Sequence, residues 1–548
     1  DHLCEQSVMQ ENNFRMYQFF RDWHLDEDGV DIFRYRGVDF GFSFRIEIWN
    51  DFTFLVRSRL CLEKLRTFSY KTLFVGSDQE LVGEILVDMD LCFTRIEKTG
   101  GGHTTYFFPI HRWMDERLRT RSVRHLFRDA ITAVQGVAMS FFDSLADRCF
   151  PIKRVFVQEY HPTRALMRRL QKYSGVGVVQ GHFSSAQGWM KYFIERPIPV
   201  YGRFNTYRST ANELLDAFHC RRSARLVLSS GVDIADAAYR VIEQRVSGIL
   251  PQQLRTLDCV IRYLDKHPIE LEILIANVGQ LAMLVDCVAK NRGIPSYLII
   301  NGMLGNEYLD EGKYASVINA YSTSIRDNYF RGMDNIVCLG DPRMDDYALA
   351  CPRSIDREAP TVTIGASGFS NIDLNSFLAV EFEFINEALL AIEKFRQEGR
   401  IKRVVIKVRA NGYSHLYEQF VSEYFPGIVD VIIADAPMRR VLETTDFYIS
   451  ICSQTLFEAS CLGIPSVYHK NDREIIDPPF DGSSELVTTT DVSELEQAVA
   501  DFLSHSRRYD EFLRREIMEK YIGPLDGRNL ERNLSYALKL LEQPRVVQ

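Results

Sequence analysis

The polar turn at residues 453–455 has the residue types of an anion site. A predicted buried strand, Phe447 to Cys452, runs into Ser453, Gln454 and Thr455, and a predicted helix carrying Glu458 follows. Backbone N–H groups and the positive end of the helix dipole attract phosphate at such a point, and hydroxyl groups add donors. A carboxylate a few positions into the helix can accept hydrogen bonds from ribose hydroxyls. The sequence therefore predicts nucleotide binding here.

The same stretch resembles a block of GT-B glycosyltransferases that use nucleotide-activated sugars. That block reads Asp-x-x-Ile-Ser-x-x-Ser-Thr-Thr-x-x-Glu-Ala-x-x-x-Gly-x-Pro, and its counterpart here runs from Asp446 to Pro465. Gln454 stands where the family has a hydroxyl residue, so the middle hydroxyl is missing. The alternative interpretation is an ordinary Rossmann-like βαβ turn that binds no ligand.

Two other predicted strand ends in the C-terminal half belong to the same site. Gly365-Ala-Ser367-Gly368 follows one strand, and its small residues allow a phosphate or sugar to approach the backbone closely. Asp435-Ala-Pro437 follows another strand and is expected to close over the base. Ligands of doubly wound sheets lie beyond the carboxyl ends of the strands, where these residues are predicted to converge.

Lys407-Val-Arg409-Ala-Asn411 follows a further predicted strand and resembles a phosphate-binding motif. The motif is the Lys-x-His-Pro of bacterial sialyltransferases, Kdo transferases and polyglycerolphosphate polymerases, in which the histidine contacts the nucleotide phosphate. Arg409 stands where the histidine would be, and a guanidinium can bind phosphate bidentately. The alternative is a basic strand end on the surface.

The N-terminal half supplies the candidates for proton transfer or nucleophilic attack. Transfer from an activated sugar needs a base for the acceptor hydroxyl, or a carboxylate nucleophile if the anomer is retained. Glu159, His161, His182 and Asp233 follow predicted strands, and each could instead have a structural role. Asp233 could equally be the N-cap of the helix that follows it. His182 is the preferred catalytic or acceptor-orienting residue.

Glu159 and Gln180-Gly-His182 also resemble a pattern in surface-polysaccharide biosynthesis proteins. Those proteins, relatives of sialyl- and polysialyltransferases, carry Glu near one strand end and Gln-His-Gly near the next; here one residue is inserted. Asn301-Gly302 resembles a second form of the same turn. Leu339-Gly-Asp-Pro-Arg-Met-Asp345 resembles the Gly-x-Pro-Arg-x-Asp hinge of this superfamily, which supports the fold and says little about catalysis.

Strands alternating with helices predict an α/β fold of the GT-B type, with two Rossmann-like doubly wound domains facing a cleft and C-terminal helices. Predicted strands of the first sheet begin near Val155, Gly177, Leu226, Glu272, Ser296 and Ile336, and Thr72–Val75 and Val87–Phe93 are weaker candidates. Ser493-Glu-Leu-Glu496 has the spelling of a capping box. The expected divisions are 1–150 (an α/β region belonging to the acceptor domain or preceding it), 151–342 (acceptor domain), 343–360 (linker), 361–492 (nucleotide-sugar domain) and 493–548 (C-terminal helices).

Composition narrows the class of protein. The 548 residues carry a net charge of −9, which argues against a nucleic-acid binder. Their apolar content of 46% is ordinary for a globular protein. No apolar run is long enough to span a bilayer, and the eleven cysteines form no Cys-x-x-Cys pair, so a cytoplasmic location is expected. Asp88-Met-Asp90 has the Asp-x-Asp spelling by chance, and no metal is expected. Walker A, Gly-x-Gly-x-x-Gly and Gly-x-Ser-x-Gly motifs are missing.

An arginine-rich segment, residues 111–128, has two interpretations. It contains Arg112, Arg117, Arg119, Arg121, Arg124 and Arg128 with apolar residues between them. The simpler interpretation is a solvated helix face. The other is a basic amphipathic patch that contacts the inner face of the membrane or a lipid-diphosphate acceptor.

The resemblances imply a metal-independent glycosyltransferase of capsule or lipopolysaccharide assembly, across roughly residues 150–480. The implied donor is a CMP-linked nonulosonate or Kdo-type sugar, the acceptor a surface glycan or a lipid-linked one, and no separate cofactor is needed. One alternative is a CDP-glycerol-type phosphotransferase or a UDP-sugar 2-epimerase-like enzyme in the same frame. Another is a non-catalytic GT-B-shaped scaffold that binds glycan or partner proteins.

Overall fold

The structure is a computed structural model that describes residues 6–76, 80–97, 123–149, 152–181, 196–275, 280–302, 315–366, 378–409, 414–471 and 477–542. The chain divides into two compact units. Unit 1 comprises Asp1–Pro151, Val179–Pro268 and Val278–Gly293, and unit 2 comprises Ile152–Val178, Ile269–Asn277 and Ile294–Gln548.

The helices of the described ranges are, in chain order, α1 (Gln6–Asp22), α2 (Arg45–Leu65), α3 (Glu80–Asp88), α4 (Val123–Cys149), α5 (Arg164–Leu170), α6 (Arg208–Arg221), α7 (Ala235–Lys266), α8 (Gln280–Asn291), α9 (Thr323–Asn328), α10 (Asp345–Ala348), α11 (Leu378–Gln397), α12 (Ser414–Tyr424), α13 (Met438–Leu442), α14 (Thr455–Cys461), α15 (Val492–Leu503), α16 (Arg515–Ile522) and α17 (Asn529–Glu542). Short 3-10 turns lie at Gly41–Phe44, Phe204–Tyr207 and Pro342–Met344. None of these helices is long and apolar enough to cross a membrane.

The strands are β1 (Arg34–Tyr35), β2 (Val38–Asp39), β3 (Phe74–Gly76), β4 (Thr94–Ile96), β5 (Lys153–Gln158), β6 (Val176–Gly181), β7 (Leu271–Leu274), β8 (Ser296–Ile299), β9 (Val317–Asn319), β10 (Ile336–Val337), β11 (Thr361–Gly365), β12 (Arg403–Lys407), β13 (Val431–Ile433), β14 (Phe447–Ser450), β15 (Ser466–His469) and β16 (Thr488–Thr489).

Unit 1 is mainly helical and is built around aromatic side chains. Trp23 packs against Phe33 and Phe218 with ring centroids 5.6 and 5.5 Å apart, and Phe33 packs against Phe44 at 5.3 Å. Such pairs add stabilisation beyond the burial of their area. The only sheets described in this unit are two short ladders, β1 with β2 antiparallel and β3 with β4 parallel.

Two strand predictions in unit 1 are wrong. Val87–Phe93 begins inside helix α3. Ile85 within that helix and Met89 just after it are buried, but Val87 is 63% exposed, whereas a strand would place all three on one face. The strand predicted at Leu226–Ser229 is a tight turn with one isolated bridge between Val227 and Asp233. Its apolar residues are buried without any sheet to join.

The first large sheet has the strand order β10-β9-β8-β7-β5-β6. Counted along the chain, this is the 2-1-3-4-5-6 order of flavodoxin-like doubly wound sheets, and its switch point lies between β5 and β7. The pairings of β5 with β7, β7 with β8, β8 with β9 and β9 with β10 are parallel. Five predicted strands are confirmed here, whereas the three-residue strand β9 was missed because it is too short to show a pattern.

The second large sheet has the order β13-β12-β11-β14-β15-β16, with parallel pairings throughout. This is the 3-2-1-4-5-6 order of Rossmann sheets, with its switch point between β11 and β14. Its strands bury Val362, Ile364, Val404, Ile406 and Ile449 against α11 and α15. The predicted α/β class with two Rossmann-like doubly wound sheets is therefore confirmed.

The predicted capping box is displaced by two residues. Helix α15 is capped by Asp491, whose carboxylate accepts a hydrogen bond from Glu494 N at 2.9 Å. Glu494 in turn accepts from the backbone N of Thr490 at 2.8 Å. Ser493 lies within the first turn, because Asp491 offers a stronger acceptor two residues earlier.

Replacing the true cap should destabilise the protein more than replacing the predicted one. We expect Asp491→Ala to cost about 1 kcal/mol, because one N–H of the first turn loses its acceptor. For a domain of this size that lowers the melting temperature by roughly 2–4 °C. Ser493→Ala should change the melting temperature little, and the two can be compared by circular dichroism. A larger loss for Ser493→Ala than for Asp491→Ala would contradict the assignment.

Candidate functional site

The polar turn at 453–455 lies at the switch point of the second sheet. Strand β14 ends at Ser450, whose hydroxyl donates to the carbonyl of Gly365, the last residue of β11, at 2.8 Å. The turn follows three residues later and enters helix α14. Because the chain passes from a strand through a polar turn into a helix, Ser453 and Thr455 lie at the carboxyl edge of the sheet, where doubly wound sheets bind ligands.

Three hydroxyl groups form a connected cluster in this turn. Thr455 Oγ1 is 2.8 Å from Ser453 Oγ and 2.6 Å from the hydroxyl of Tyr448, and Ser453 Oγ accepts from Thr455 N at 3.2 Å. Burial raises the pKa of Tyr448, which keeps its proton for hydrogen bonding. A Cβ atom on Gly365 would overlap the Tyr448 hydroxyl, so glycine is required there. Gly365 thus admits a tyrosine side chain.

Gln454 belongs to a buried polar cluster with two residues of the hinge motif. Its Nε2 donates to Asp341 Oδ2 at 2.6 Å, and its Oε1 accepts from Arg343 Nη2 at 2.6 Å. Arg343 also donates through Nε to Asp341 Oδ2 at 2.9 Å and forms a salt bridge through Nη2 at 2.8 Å. The sequence interpretation missed Asp341 and Arg343 as site residues, although a paired acid and arginine in the hinge motif was a usable signal.

Glu458 is held by Tyr347, which lies just after the motif that contains Asp341 and Arg343. The hydroxyl of Tyr347, in helix α10, donates to Glu458 Oε2 at 2.8 Å. Burial raises the pKa of Glu458, and the Tyr347 hydrogen bond and the Arg343 cation only partly oppose that effect. Burial also favours the neutral form of Arg343 and so lowers its pKa, but the charge of Asp341 outweighs burial. The net pKa of Arg343 is raised, and the guanidinium stays charged.

Lys407 is tied down where strands β12 and β13 end. Its ammonium donates to the carbonyl of Ala434 at 2.9 Å and to that of Val408. Burial lowers the pKa of Lys407, and Asp435 opposes this in part. Arg409 is exposed two residues later along the chain. Lys407 therefore joins two strand ends, while Arg409 stands nearer to solvent.

In the first sheet, Glu159 and His161 follow β5 beside the switch point. Gln158 Oε1 accepts from Ile275 N at 3.0 Å, which links the ends of β5 and β7. Glu159 Oε1 accepts from Arg164 Nε at 3.0 Å. Surrounding protein lowers the pKa of His161, and the cations of Arg164 and Arg343 lower it further. His161 therefore lies within the electrostatic reach of Arg343 and is neutral near pH 7.

Asp233 belongs to unit 1, whereas the groups described above belong to unit 2. Its Oδ2 accepts from Arg225 at 2.9 and 3.0 Å, and its Oδ1 accepts from Ala235 N at the start of α7. Burial raises the pKa of Asp233, but the bonds from Ala235 and Arg225 outweigh it and the net pKa is lowered. The N-cap of α7 is Ile234, so Asp233 lies one residue before the predicted cap position, although it still accepts a backbone hydrogen bond at the start of the helix.

Four predicted site residues lie outside the described residues: His182, Ser367, Gly368 and Asn411. The arginine-rich segment also lies outside them up to residue 122, and the rest of it begins helix α4. Asp88 of the Asp-x-Asp triplet forms an ion pair with Arg240 at 2.8 Å. Across the part of the chain that the structure describes, no group of three or more His, Cys, Asp or Glu could hold a metal ion.

No family model matches this chain, and no curated protein matches it either. Among solved structures, UDP-GlcNAc 2-epimerase from Neisseria meningitidis bound to UDP-GlcNAc is 12% identical, with a TM-score of 0.44 over 71% of this chain and 100% of that one. The Methanocaldococcus jannaschii UDP-GlcNAc 2-epimerase with UDP-GlcNAc and UDP is 12% identical, with a TM-score of 0.43 over 70% and 100%. The glycotransferase of kitacinnamycin is 14% identical, with a TM-score of 0.41 over 71% and 98%. Likenesses this distant decide neither family nor activity.

The raised pKa of Glu458 predicts a stability difference that depends on pH. A carboxyl whose pKa is higher in the folded state destabilises that state once it ionises, so the effect is absent below the unfolded pKa and grows as the pH rises towards the folded one. The Glu458→Gln variant keeps an acceptor for Tyr347. We expect its melting temperature to lie above that of the wild type at about pH 7 and to equal it near pH 4.

Differential scanning calorimetry at several pH values checks this. The exposed Glu443→Gln is the matched control, and it should show no comparable divergence with pH. A Glu458→Gln variant that melts below the wild type at every pH would mean that the charged carboxylate stabilises the fold.

Proposed function

We propose that this protein is a glycosyltransferase that takes a sugar from a nucleotide-activated donor. The observation that carries the proposal is the convergence of Ser453, Thr455, Arg343 and Glu458 at the switch point of the second sheet. Hydroxyl and guanidinium donors suit phosphate, and a partly buried carboxylate held by a tyrosine suits the ribose hydroxyls. Arg409 is proposed to add a second cation on the phosphate side.

The finer assignment is a CMP-linked nonulosonate or Kdo-type donor and a surface-glycan or lipid-linked acceptor. It is supported by the resemblance of the Lys407–Asn411 and Asp446–Pro465 motifs to sialyl- and Kdo-transferases. We propose that the enzyme acts in the cytoplasm without a metal or separate cofactor, and that residues 111–128 approach the membrane. A CMP-linked donor has only one phosphate and therefore needs few cations. This agrees with a site in which the positive charge of Arg343 is already neutralised by Asp341.

The acceptor is proposed to be activated from the first sheet. A base takes the proton of the acceptor hydroxyl, the oxygen bonds to the anomeric carbon, and the bond from that carbon to the donor phosphate breaks with its electrons on the phosphate. His161 is suited to the first step, because a histidine with a lowered pKa is neutral and can accept a proton. His182, Glu159 and Asp233 remain candidates for the same role.

A thermal-shift titration with CMP, CDP, UDP, GDP and their sugar conjugates tests the donor class. A ligand that binds only the folded state stabilises it by about 2.7 kcal/mol at 100 times its Kd, which raises the melting temperature by several degrees. Stabilisation by CMP and its sugars supports the proposal. Stabilisation by UDP or CDP alone favours an epimerase or a glycerophosphate transferase, and no response to any nucleotide favours a scaffold.

Once the donor is known, two substitutions test the site. Arg409→Ala and Glu458→Ala are expected to reduce transfer at least 100-fold, because each removes a charged partner of the nucleotide. Arg403→Ala is the matched control, since it removes an exposed arginine from the opposite end of the strand that precedes Arg409. Normal transfer by both site variants would refute the assignment of the site.

A further inference from the structure

We infer that Arg343 is the residue that receives the donor phosphate and that Gln454 is a positioning residue for it. The inference rests on the proposed function and assigns a separate role to each of these two residues within the same site. Neither residue has this role in the glycosyltransferase motif that the sequence resembles, because that motif has a hydroxyl at position 454 and treats the 339–345 segment as a hinge.

The first argument is the geometry of the guanidinium. Asp341 is completely buried, and its carboxylate fixes Nε and Nη2 of Arg343, while Gln454 Oε1 fixes Nη2 from another side. The guanidinium also donates to the hydroxyl of the buried Tyr321. The side chain is 26% exposed, so part of this charged group reaches the surface. A planar cation that is held by several partners and is still partly exposed is preorganised to bind an oxyanion.

The second argument explains the departure at position 454. A glutamine amide donates and accepts at the same time, so it bonds to Asp341 through Nε2 and receives Arg343 at Oε1. A serine or threonine hydroxyl also donates and accepts, but it does both from one oxygen on a shorter side chain, whereas the amide presents a separate donor and acceptor. The amide therefore replaces a ligand contact with a contact that sets the direction of Arg343.

The third argument is the surroundings of the cation. Arg343 lowers the pKa of Glu458 and of His161, so it lies close to the proposed ribose partner and to the proposed base. Gln454 also directly precedes Thr455, whose hydroxyl cluster supplies further donors. A phosphate on Arg343 would thus lie near both the proposed ribose partner and the proposed base.

The test compares nucleotides with the nucleosides that lack their phosphate. Binding of CMP and cytidine, and of UDP and uridine, is measured by isothermal titration calorimetry with the full chain. We expect Arg343→Gln to weaken the nucleotide about 10- to 100-fold and the nucleoside less than about twofold, because a charged hydrogen bond is lost only to the phosphate. Glu458→Gln should weaken both members of a pair equally, since both carry the ribose.

Gln454→Ser restores the hydroxyl of the motif and tests the positioning role. If Gln454 sets Arg343, this variant should shift the nucleotide-to-nucleoside ratio in the same direction as Arg343→Gln, by a smaller factor. Arg343→Lys, which keeps the charge but not the fork, should fall between the wild type and Arg343→Gln and covers the case that Arg343→Gln does not fold. Arg403→Gln, far along strand β12, is the matched control and should leave every ratio unchanged.

The outcomes separate this inference from the proposed function. A wild type that binds nucleotides, with a ratio unchanged in Arg343→Gln and Gln454→Ser, overturns the inference alone. An equal loss of nucleotide and nucleoside in those variants also overturns it, because it marks a purely structural role. A wild type that binds no nucleotide or nucleoside overturns the proposed function and the inference together.

Discussion

The arrangement of unit 2 depends on one buried carboxylate. Asp341 is fully buried, and an ionised group in that position is tolerated only when its oxygens are matched by charged or polar donors. Arg343 and Gln454 supply those donors, from the hinge and from a turn 113 residues further along the chain. The carboxylate therefore fixes the polar turn of the second sheet against residues 341–345. Loss of Arg343 would leave the carboxylate without a cation, and loss of Gln454 would remove one of its hydrogen-bond donors.

The same short segment also anchors the C-terminal helix. Asp345 accepts from the backbone N–H groups of Asn529 and Leu530 at 2.9 and 2.8 Å, at the start of α17. Further along that helix, Asn533 Oδ1 receives the hydroxyl of Tyr297 at 2.6 Å and the amide of Asn319 at 2.9 Å. Residues 341–345 thus connect the second sheet, the last helix and the first sheet through hydrogen bonds in the interior. A displacement of residues 341–345 would therefore disturb hydrogen bonds to the second sheet, to the last helix and, through that helix, to the first sheet.

The sequence was sufficient for the elements whose signal is local. Strands with a buried apolar centre, such as β11, β12 and β14, were found, and so was the polar turn after β14, because each is a short run of residues with its own pattern. The site partners Asp341, Arg343 and Tyr347 were not found, because each binds a residue 111 to 113 positions away. The paired acid and arginine of the motif at 339–345 were a local signal, but such a signal does not identify the distant partner.

One cation links the two halves of the proposed reaction. Arg343 is held in place by Asp341 from the hinge and Gln454 from the second sheet, and its charge helps to lower the pKa of His161 after β5 of the first sheet. A lowered pKa keeps that histidine neutral, which a proton acceptor requires. The group proposed to hold the departing phosphate would therefore also keep the proposed base ready. Donor and acceptor chemistry would share one electrostatic centre, even though their side chains come from different sheets.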